Sequence, residues 1–174
     1  MIPPGAVSTP LLSAGVEEAP VSVWLKFTTW MTQRLEAELA NISTRGLVGT
    51  GDNVMIGGVI VGPANADPPN ATVVVRAIGP SLANAVPPVT DALADPFLEL
   101  HNVNGDTIQA NDNWMDGPDE AEIDSLQLAP GDHLESALLA NLIPGNYTAI
   151  VSGVESTTGV GLVEVFHVGT PAAH

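Results

Sequence analysis

The densest group of oxygen-bearing side chains in this chain of 174 residues lies in one acidic stretch, between residues 111 and 122. Its possible ligands are Asn111, Asp112, Asn113, Asp116, Asp119 and Glu120, followed by Glu122. Calcium binds about six to eight oxygen atoms and accepts carboxylates and amides from flexible loops. The spacing is not that of an EF-hand. The stretch therefore predicts either a Ca²⁺ site or a solvated acidic loop with Asx turns.

The rest of the chain shows no arrangement typical of a catalytic centre. Ser81 follows a Gly-Pro pair, but residue 83 is Ala, so the nucleophile motif Gly-x-Ser-x-Gly is absent. The chain has four histidines, which are His101, His133, His167 and His174. Their spacing is not that of a zinc site. The sequence predicts a non-enzymatic protein.

The net charge limits the classes of partner. Twenty acidic residues against four basic ones give a formal charge of −16, which repels the phosphate backbone of nucleic acids. The basic residues are Lys26, Arg34, Arg45 and Arg76. Arg45 and Arg76 lie within or beside apolar runs, so each is expected either to bind a carboxylate or to be an ordinary exposed arginine.

The remaining composition favours a folded extracellular protein. Apolar residues make up 45% of the chain, which is too many for a disordered acidic tail. There is no cysteine, so disulfides and thiolate metal sites are excluded. No apolar run approaches the ~20 residues that span a bilayer. The scarcity of lysine beside many Asn, Thr and Gly residues favours a secreted or cell-surface location.

Short apolar runs separated by turn residues predict an all-β fold, an antiparallel and jelly-roll-like β-sandwich of about eight strands. The predicted strands are residues 42–48, 54–61, 72–78, 97–102, 107–111, 135–143, 146–153 and 161–168. Asn104-Gly105 supplies the positive dihedral angles of a tight turn, so the strands on its two sides are expected to pair. The same reasoning predicts a second hairpin across Pro144-Gly145. The run Val73-Val74-Val75 predicts a strand covered on both faces.

The first forty residues predict an extended arm ahead of the sandwich at 41–168, with residues 169–174 as a tail. The apolar residues that would form an assembly arm are Val7, Leu11, Leu12, Val16, Val21, Val23, Leu25 and Phe27. The last four alternate with polar or bulky residues in a strand pattern. Residues 29–40 have helical spacing and predict one short helix, or part of a longer helix over 24–39. The arm is expected to be a floppy terminus, a strand donated to a neighbour, or a segment folded back on its own domain.

Several turns and core strands carry a resemblance to a known family. They are Leu98-Glu99-Leu100, Asn104-Gly105-Asp106, Asn111-Asp112-Asn113-Trp114, Leu134-Glu135-Ser136 and Pro144-Gly145-Asn146-Tyr147-Thr148 with the strand after it. The chain resembles the bacterial pre-peptidase C-terminal domain, a small secreted β-sandwich usually appended to extracellular enzymes. The stretch from Asn41-Ile-Ser-Thr-Arg-Gly through Arg76-Ala-Ile-Gly-Pro-Ser81 also looks like a segment that precedes this module in large secreted proteins. The resemblance implies an extracellular sandwich used for adhesion, substrate targeting or assembly.

Two functions follow from these observations, and a hydrolase with a novel site in an acidic loop is kept as a third. The first is a structural subunit of a surface filament or layer, which self-associates into a homopolymer when the arm adds a strand to a neighbour's sheet. The second is a carbohydrate- or matrix-binding accessory module of a secreted hydrolase, dependent on Ca²⁺, for which a surface strip of aromatic residues would be the mark. Three sequons, at Asn41, Asn70 and Asn146, fit the N-glycosylation pattern.

Overall fold

The computed structural model describes residues 41–62 and 70–168. The predicted arm at 1–40, with its strand and helix, and the tail at 169–174 lie outside the described residues. No helix in the described part of the chain is long and apolar enough to cross a bilayer.

Eight strands form the described part of the chain, and each was predicted to within two residues at either end. The strands are β1 (Asn41–Val48), β2 (Met55–Val61), β3 (Ala71–Ile78), β4 (Pro96–His101), β5 (Thr107–Asn111), β6 (Ser136–Leu142), β7 (Gly145–Gly153) and β8 (Gly159–His167). One short α-helix, α1 (Glu120–Ser125), lies between β5 and β6.

The strands form two four-stranded sheets in which all paired strands are antiparallel. The first sheet has the order β1-β8-β3-β6 and the second has the order β2-β7-β4-β5. This order is that of a jelly roll, because most connections cross from one sheet to the other. The predicted fold class is therefore confirmed. Asn41 pairs with Phe166, so the first and last described strands lie side by side.

The predicted hairpin between β4 and β5 is confirmed. Gly105 has a φ of +84°, and its amide donates to the carbonyl of Asn102 at 3.0 Å. The side-chain oxygen of Asn102 also accepts from the amides of Asn104 and Asp106. A residue other than glycine would be strained at position 105, which is why the Asn-Gly pair identifies the turn.

The predicted hairpin between β6 and β7 is wrong. β6 pairs with β3 in the first sheet, whereas β7 pairs with β2 and β4 in the second. A two-residue hairpin needs positive φ angles, and the described glycines that have one are Gly51 and Gly105, not Gly145. Ile143 and Pro144 instead carry the chain from one sheet to the other.

The main hydrophobic core lies between the two sheets. Its most buried members include Val48, Leu98, Leu100 and Val151, each with no exposed surface. A second cluster covers the other face of the first sheet, where Trp114 and Ile123 pack with Val74 and Ala137. The strand β3 is thus covered on both faces, as the run of three valines predicted.

Replacement of a central leucine tests this account of the core. Leu100→Ala removes a fully buried side chain, so we expect the free energy of unfolding to fall by about 2–5 kcal/mol. Urea denaturation followed by circular dichroism measures the change. Ile108→Ala on the neighbouring strand β5 is the control, because Ile108 is exposed and should lose well under half as much. Equal losses in the two variants would contradict the arrangement.

Candidate functional site

The sandwich has two flanks, each formed by one edge strand from each sheet. We call these the β5/β6 flank and the β1/β2 flank, because β5 lies next to β6 and β1 next to β2. An edge strand turns about half of its amide and carbonyl groups away from its sheet. Such groups can pair with another chain unless the protein covers them.

Side chains cover the β6 edge of the β5/β6 flank. The amide of Ala137 donates to Asn111 Oδ1 at 3.0 Å, and the amide of Leu139 donates to Asp119 Oδ2 at 3.3 Å. Gln109 Nε2 donates both to the Leu139 carbonyl at 3.2 Å and to Asp119 Oδ2 at 2.9 Å. These contacts occupy the outward backbone groups in the middle of β6, so this edge offers little to an added strand.

The β1/β2 flank has no such cover among residues 41–62 and 70–168. β1 pairs only with β8 and β2 only with β7, and no described side chain or loop hydrogen-bonds the outer edge of either strand. Arg45 is the one charged residue in the two strands. Lysine, proline and bulges are the usual protection of an edge, and β2 contains none of them. This flank is the candidate functional site.

Exposed apolar side chains lie along the same flank. Ile56 and Ile60 on β2 are 61% and 81% exposed, and Leu47 on β1 is 72% exposed. Ile42 pairs with Val165, a residue packed against the core, and is therefore directed toward the space between the sheets. Because Ile42 is nevertheless about half exposed, the core is incompletely covered at this flank.

Two adjacent glycines in β2 leave further space. A Cβ atom at Gly58 would meet no heavy atom within 4 Å, and one at Gly57 would lie 3.4 Å from the Val163 side chain. A shallow depression of about 500 Å³ continues the flank at the β1–β2 turn. Its lining is Leu47, Val48, Gly49, Thr50, Asn53 and Thr158.

The predicted metal ligands are used in different ways. Asn111 and Asp119 hold the edge of β6, as described above, and Glu120 lies in the first turn of α1. Asp112 Oδ1 and Asn113 Oδ1 are buried without a hydrogen-bond partner. With Asp116 they line a depression of about 390 Å³. Two unpaired oxygens are a partial fit to calcium.

The described residues contain no group of three or more His, Asp or Glu side chains that could share a metal ion. Calcium would thus need backbone carbonyls, amides or water to complete its shell around Asp112 and Asn113. Calcium binding stays a prediction.

Glu135 is a buried carboxylate for which the sequence predicted no role of its own. Glu135 has no exposed surface. Its carboxylate accepts hydrogen bonds from the amides of Gly79, Ser81 and Asp132 at 3.1, 2.9 and 3.1 Å. Ser81 Oγ also donates to it, at 2.8 Å. Four hydrogen bonds compensate the burial of the charge. Ser81 therefore connects its own loop to that of Glu135 through hydrogen bonds. The absence of enzymatic activity stays a prediction.

Arg76 binds a carboxylate inside the fold, one of the two outcomes expected for it. Its Nε donates to Glu164 Oε2 at 3.0 Å, and its Nη2 donates to the same oxygen. Nη1 donates to the Leu128 carbonyl at 2.9 Å, and the guanidinium lies 4.8 Å from the Phe166 ring centre. The contact joins β3, β8 and the loop after α1. Arg45 is exposed on β1.

The aromatic residues give no exposed strip in the described part of the chain. Phe97, Trp114, Tyr147 and Phe166 are all buried or half-buried. Trp114 is 9% exposed and donates through Nε1 to the Asp132 carbonyl at 3.1 Å. Trp24 and Trp30 lie outside the described residues, as does His174.

The sequons lie at the surface, and His101 and His133 make local contacts. Asn41, Asn70 and Asn146 are exposed, and their glycosylation stays a prediction. His101 Nδ1 is 3.0 Å from the Gly105 carbonyl. His133 is mostly exposed beside Asp132.

Asp95 has an unusual environment at the start of β4. Its Oδ1 is buried without a hydrogen-bond partner. Burial raises the pKa of Asp95 above the ordinary value, and the charges of Asp112 and Glu155 raise it further, while His133 opposes them. The ionised form of Asp95 is therefore a local source of instability.

Comparison with known proteins adds a similarity to a solved structure. No protein-family model and no curated protein matches the chain. Among solved structures, the chain is similar to the pre-peptidase C-terminal domain of a collagenase from Bacillus anthracis. The two share 14% sequence identity with a TM-score of 0.42 over 72% of this chain and 89% of that one. It is the domain type that the sequence resembles. The fold described above rests on this chain's own strand order.

The pKa of Asp95 predicts how stability depends on pH. Because the pKa of Asp95 is raised in the folded state, this side chain contributes to the free energy of unfolding in full below pH 3.8. That contribution is lost as the pH rises through the folded pKa. Asp95→Asn should therefore raise the melting temperature at pH 7, and the gain should vanish below pH 3.8. The exposed Asp52→Asn is the control for the charge change. A variant no more stable than the parent at pH 7 would contradict the assignment.

Calcium binding is tested by titration calorimetry on protein freed of metal by chelation. We expect binding of Ca²⁺ that is weakened at least about tenfold by Asp112→Ala, because a carboxylate ligand is lost. Asp106→Ala, in the β4–β5 turn, is the control for the loss of one acidic residue. The absence of binding heat, with no change in melting temperature on adding calcium, would exclude a calcium site.

Proposed function

We propose that this chain is a non-enzymatic extracellular structural protein whose copies join by β-strand addition at the β1/β2 flank. The contrast between the covered edge of β6 and the open edges of β1 and β2 carries the proposal. Asn111, Asp119 and Gln109 occupy the backbone groups of β6, whereas no described group occupies those of β1 or β2. The open edges of β1 and β2 can therefore accept a strand, whereas the covered edge of β6 cannot.

The donor in this proposal is the N-terminal arm of a second copy. The arm precedes Asn41, the first residue of β1, and contains two apolar segments suited to pairing, residues 7–16 and 21–27. A strand from one copy and an edge of the next are different surfaces, so the contact is head-to-tail. Such a contact produces a filament or layer when its rotation does not close into a ring.

The charge distribution favours the same surface. Copies that each carry −16 repel one another wherever acidic faces meet. Between residues 41 and 61 the only charged side chains are Arg45 and Asp52, so a contact on this flank brings few like charges together. Association is expected to strengthen with salt, because screening shortens the range of the remaining repulsion to about 8 Å at physiological ionic strength.

An extracellular location is part of the proposal. It is supported by the scarcity of lysine and by the resemblance to a secreted domain. The alternative, a carbohydrate- or matrix-binding module, would be supported by exposed aromatic side chains, and the described aromatic residues are buried or half-buried. We therefore favour assembly.

Lysine substitution on β2 tests the proposal. Ile60→Lys adds to the edge strand the type of residue that natural proteins use to prevent edge pairing. We expect the unmodified full-length chain to form filaments, sheets or large oligomers, and Ile60→Lys to remain monomeric. Negative-stain electron microscopy and light scattering after size exclusion measure both.

Val103→Lys is the matched control, because Val103 is 73% exposed in the β4–β5 turn and the charge change is the same. It should assemble like the parent chain. A uniformly monomeric parent chain at high concentration and high salt would overturn the proposed function. Assembly that Ile60→Lys leaves intact would overturn the choice of flank.

A further inference from the structure

The acceptor strand and one part of the arm match in length and in pattern. β2 has seven residues, Met55–Val61, and residues 21–27 are also seven. Resting on the proposed function, we infer that residues 21–27 of a second copy pair with β2 in antiparallel orientation, with Trp24 opposite Gly58. This fixes the donor segment, the acceptor strand, the direction and the register.

In this register, the residues of both strands that face the core are apolar or glycine. Directly opposite residues of an antiparallel pair face the same side. The pairs on the inner side are Val21 with Val61, Val23 with Val59, Leu25 with Gly57, and Phe27 with Met55. All eight residues are apolar or glycine, and the β2 members face the core through Met55 and Val61. Leu25 comes opposite Gly57, where the acceptor has no side chain of its own.

The residues on the outer side also complement one another. Trp24 comes opposite Gly58, where a Cβ would meet no atom within 4 Å, so the indole has open space above the glycine. An aromatic residue opposite a glycine is a known means of stabilising such a position in a sheet. Lys26 comes opposite Ile56 and can lay its aliphatic stem on that exposed side chain.

Other registers, donor segments and acceptor strands match less well. A shift of one residue would turn Trp24 and Lys26 toward the core and Val23 and Leu25 toward solvent. The segment 7–16 contains Pro10, which lacks an amide for the ladder, and Gly15. On β1, Arg45 lies in the middle of the strand, whereas β2 has no charge at all.

Cysteine pairs test the register, because the chain has no cysteine of its own. The antiparallel register places Ser22 opposite Ile60, and a parallel one would place it opposite Ile56. Full-length Ser22→Cys is mixed with full-length Ile60→Cys or with Ile56→Cys, oxidised, and the linked peptides are identified by mass spectrometry. The two isoleucines lie on the same face about 13 Å apart and form a matched pair of acceptors.

We expect a 22–60 disulfide between chains at several times the yield of a 22–56 disulfide. A dominant 22–56 disulfide would overturn the direction. Association without either disulfide would overturn the register and the segment, while leaving the proposed function in place. A chain carrying both Ser22→Cys and Ile60→Cys that closes within itself at high dilution would overturn the second copy as donor.

Tryptophan substitution tests the same register without cross-linking. Trp24→Ala should weaken self-association about tenfold, because the side chain that covers Gly58 is lost. Trp30→Ala, which removes the same surface outside residues 21–27, is the control and should associate like the parent chain. Equal effects of the two substitutions would overturn the role of Trp24. A parent chain that does not associate at all contradicts the proposed function rather than the register.

Discussion

The need of every backbone amide and carbonyl for a partner is the constraint on which this structure depends. Inside the two sheets, pairing between strands meets it. At the edge of β6, side chains of Asn111, Asp119 and Gln109 meet it. In the loops around Gly79 and Asp132, the carboxylate of Glu135 is the partner of three amides. The β1/β2 flank differs from all of these, and its difference is the basis of the proposed function.

The strands were predictable because their signals are local. Alternating apolar residues and the Asn104-Gly105 turn depend on neighbours in sequence, and both predictions hold. The pairing of β6 and β7 was not predictable in that way. Pro144-Gly145 looks like a tight turn, yet a jelly roll sends the two strands to different sheets. Which strands pair is decided by long-range packing, to which a local turn signal contributes little.

The polar side chains outside the β1/β2 flank show the same difference between local and long-range signals. The acidic stretch was visible, but its composition suggested a metal, whereas Asn111 and Asp119 act on a strand about twenty residues or more away. Glu135 lies at the start of an apolar run and gives no sign in the sequence that four donors surround it. The helix α1 was not predicted from its acidic residues, although Ile123 anchors it in the second hydrophobic cluster. Such contacts depend on register, which only the folded chain fixes.

The pairing of Asn41 with Phe166 has a consequence for how the domain connects to its surroundings. The chain enters the sandwich beside the point at which it leaves. The two ends of the domain are therefore separated by about one strand spacing, about 5 Å. A domain with this geometry can be inserted into a loop of a host protein without separating the two ends of that loop. Mechanical load applied through its two ends would fall first on the hydrogen bonds between β1 and β8, beginning at the Asn41–Phe166 pair.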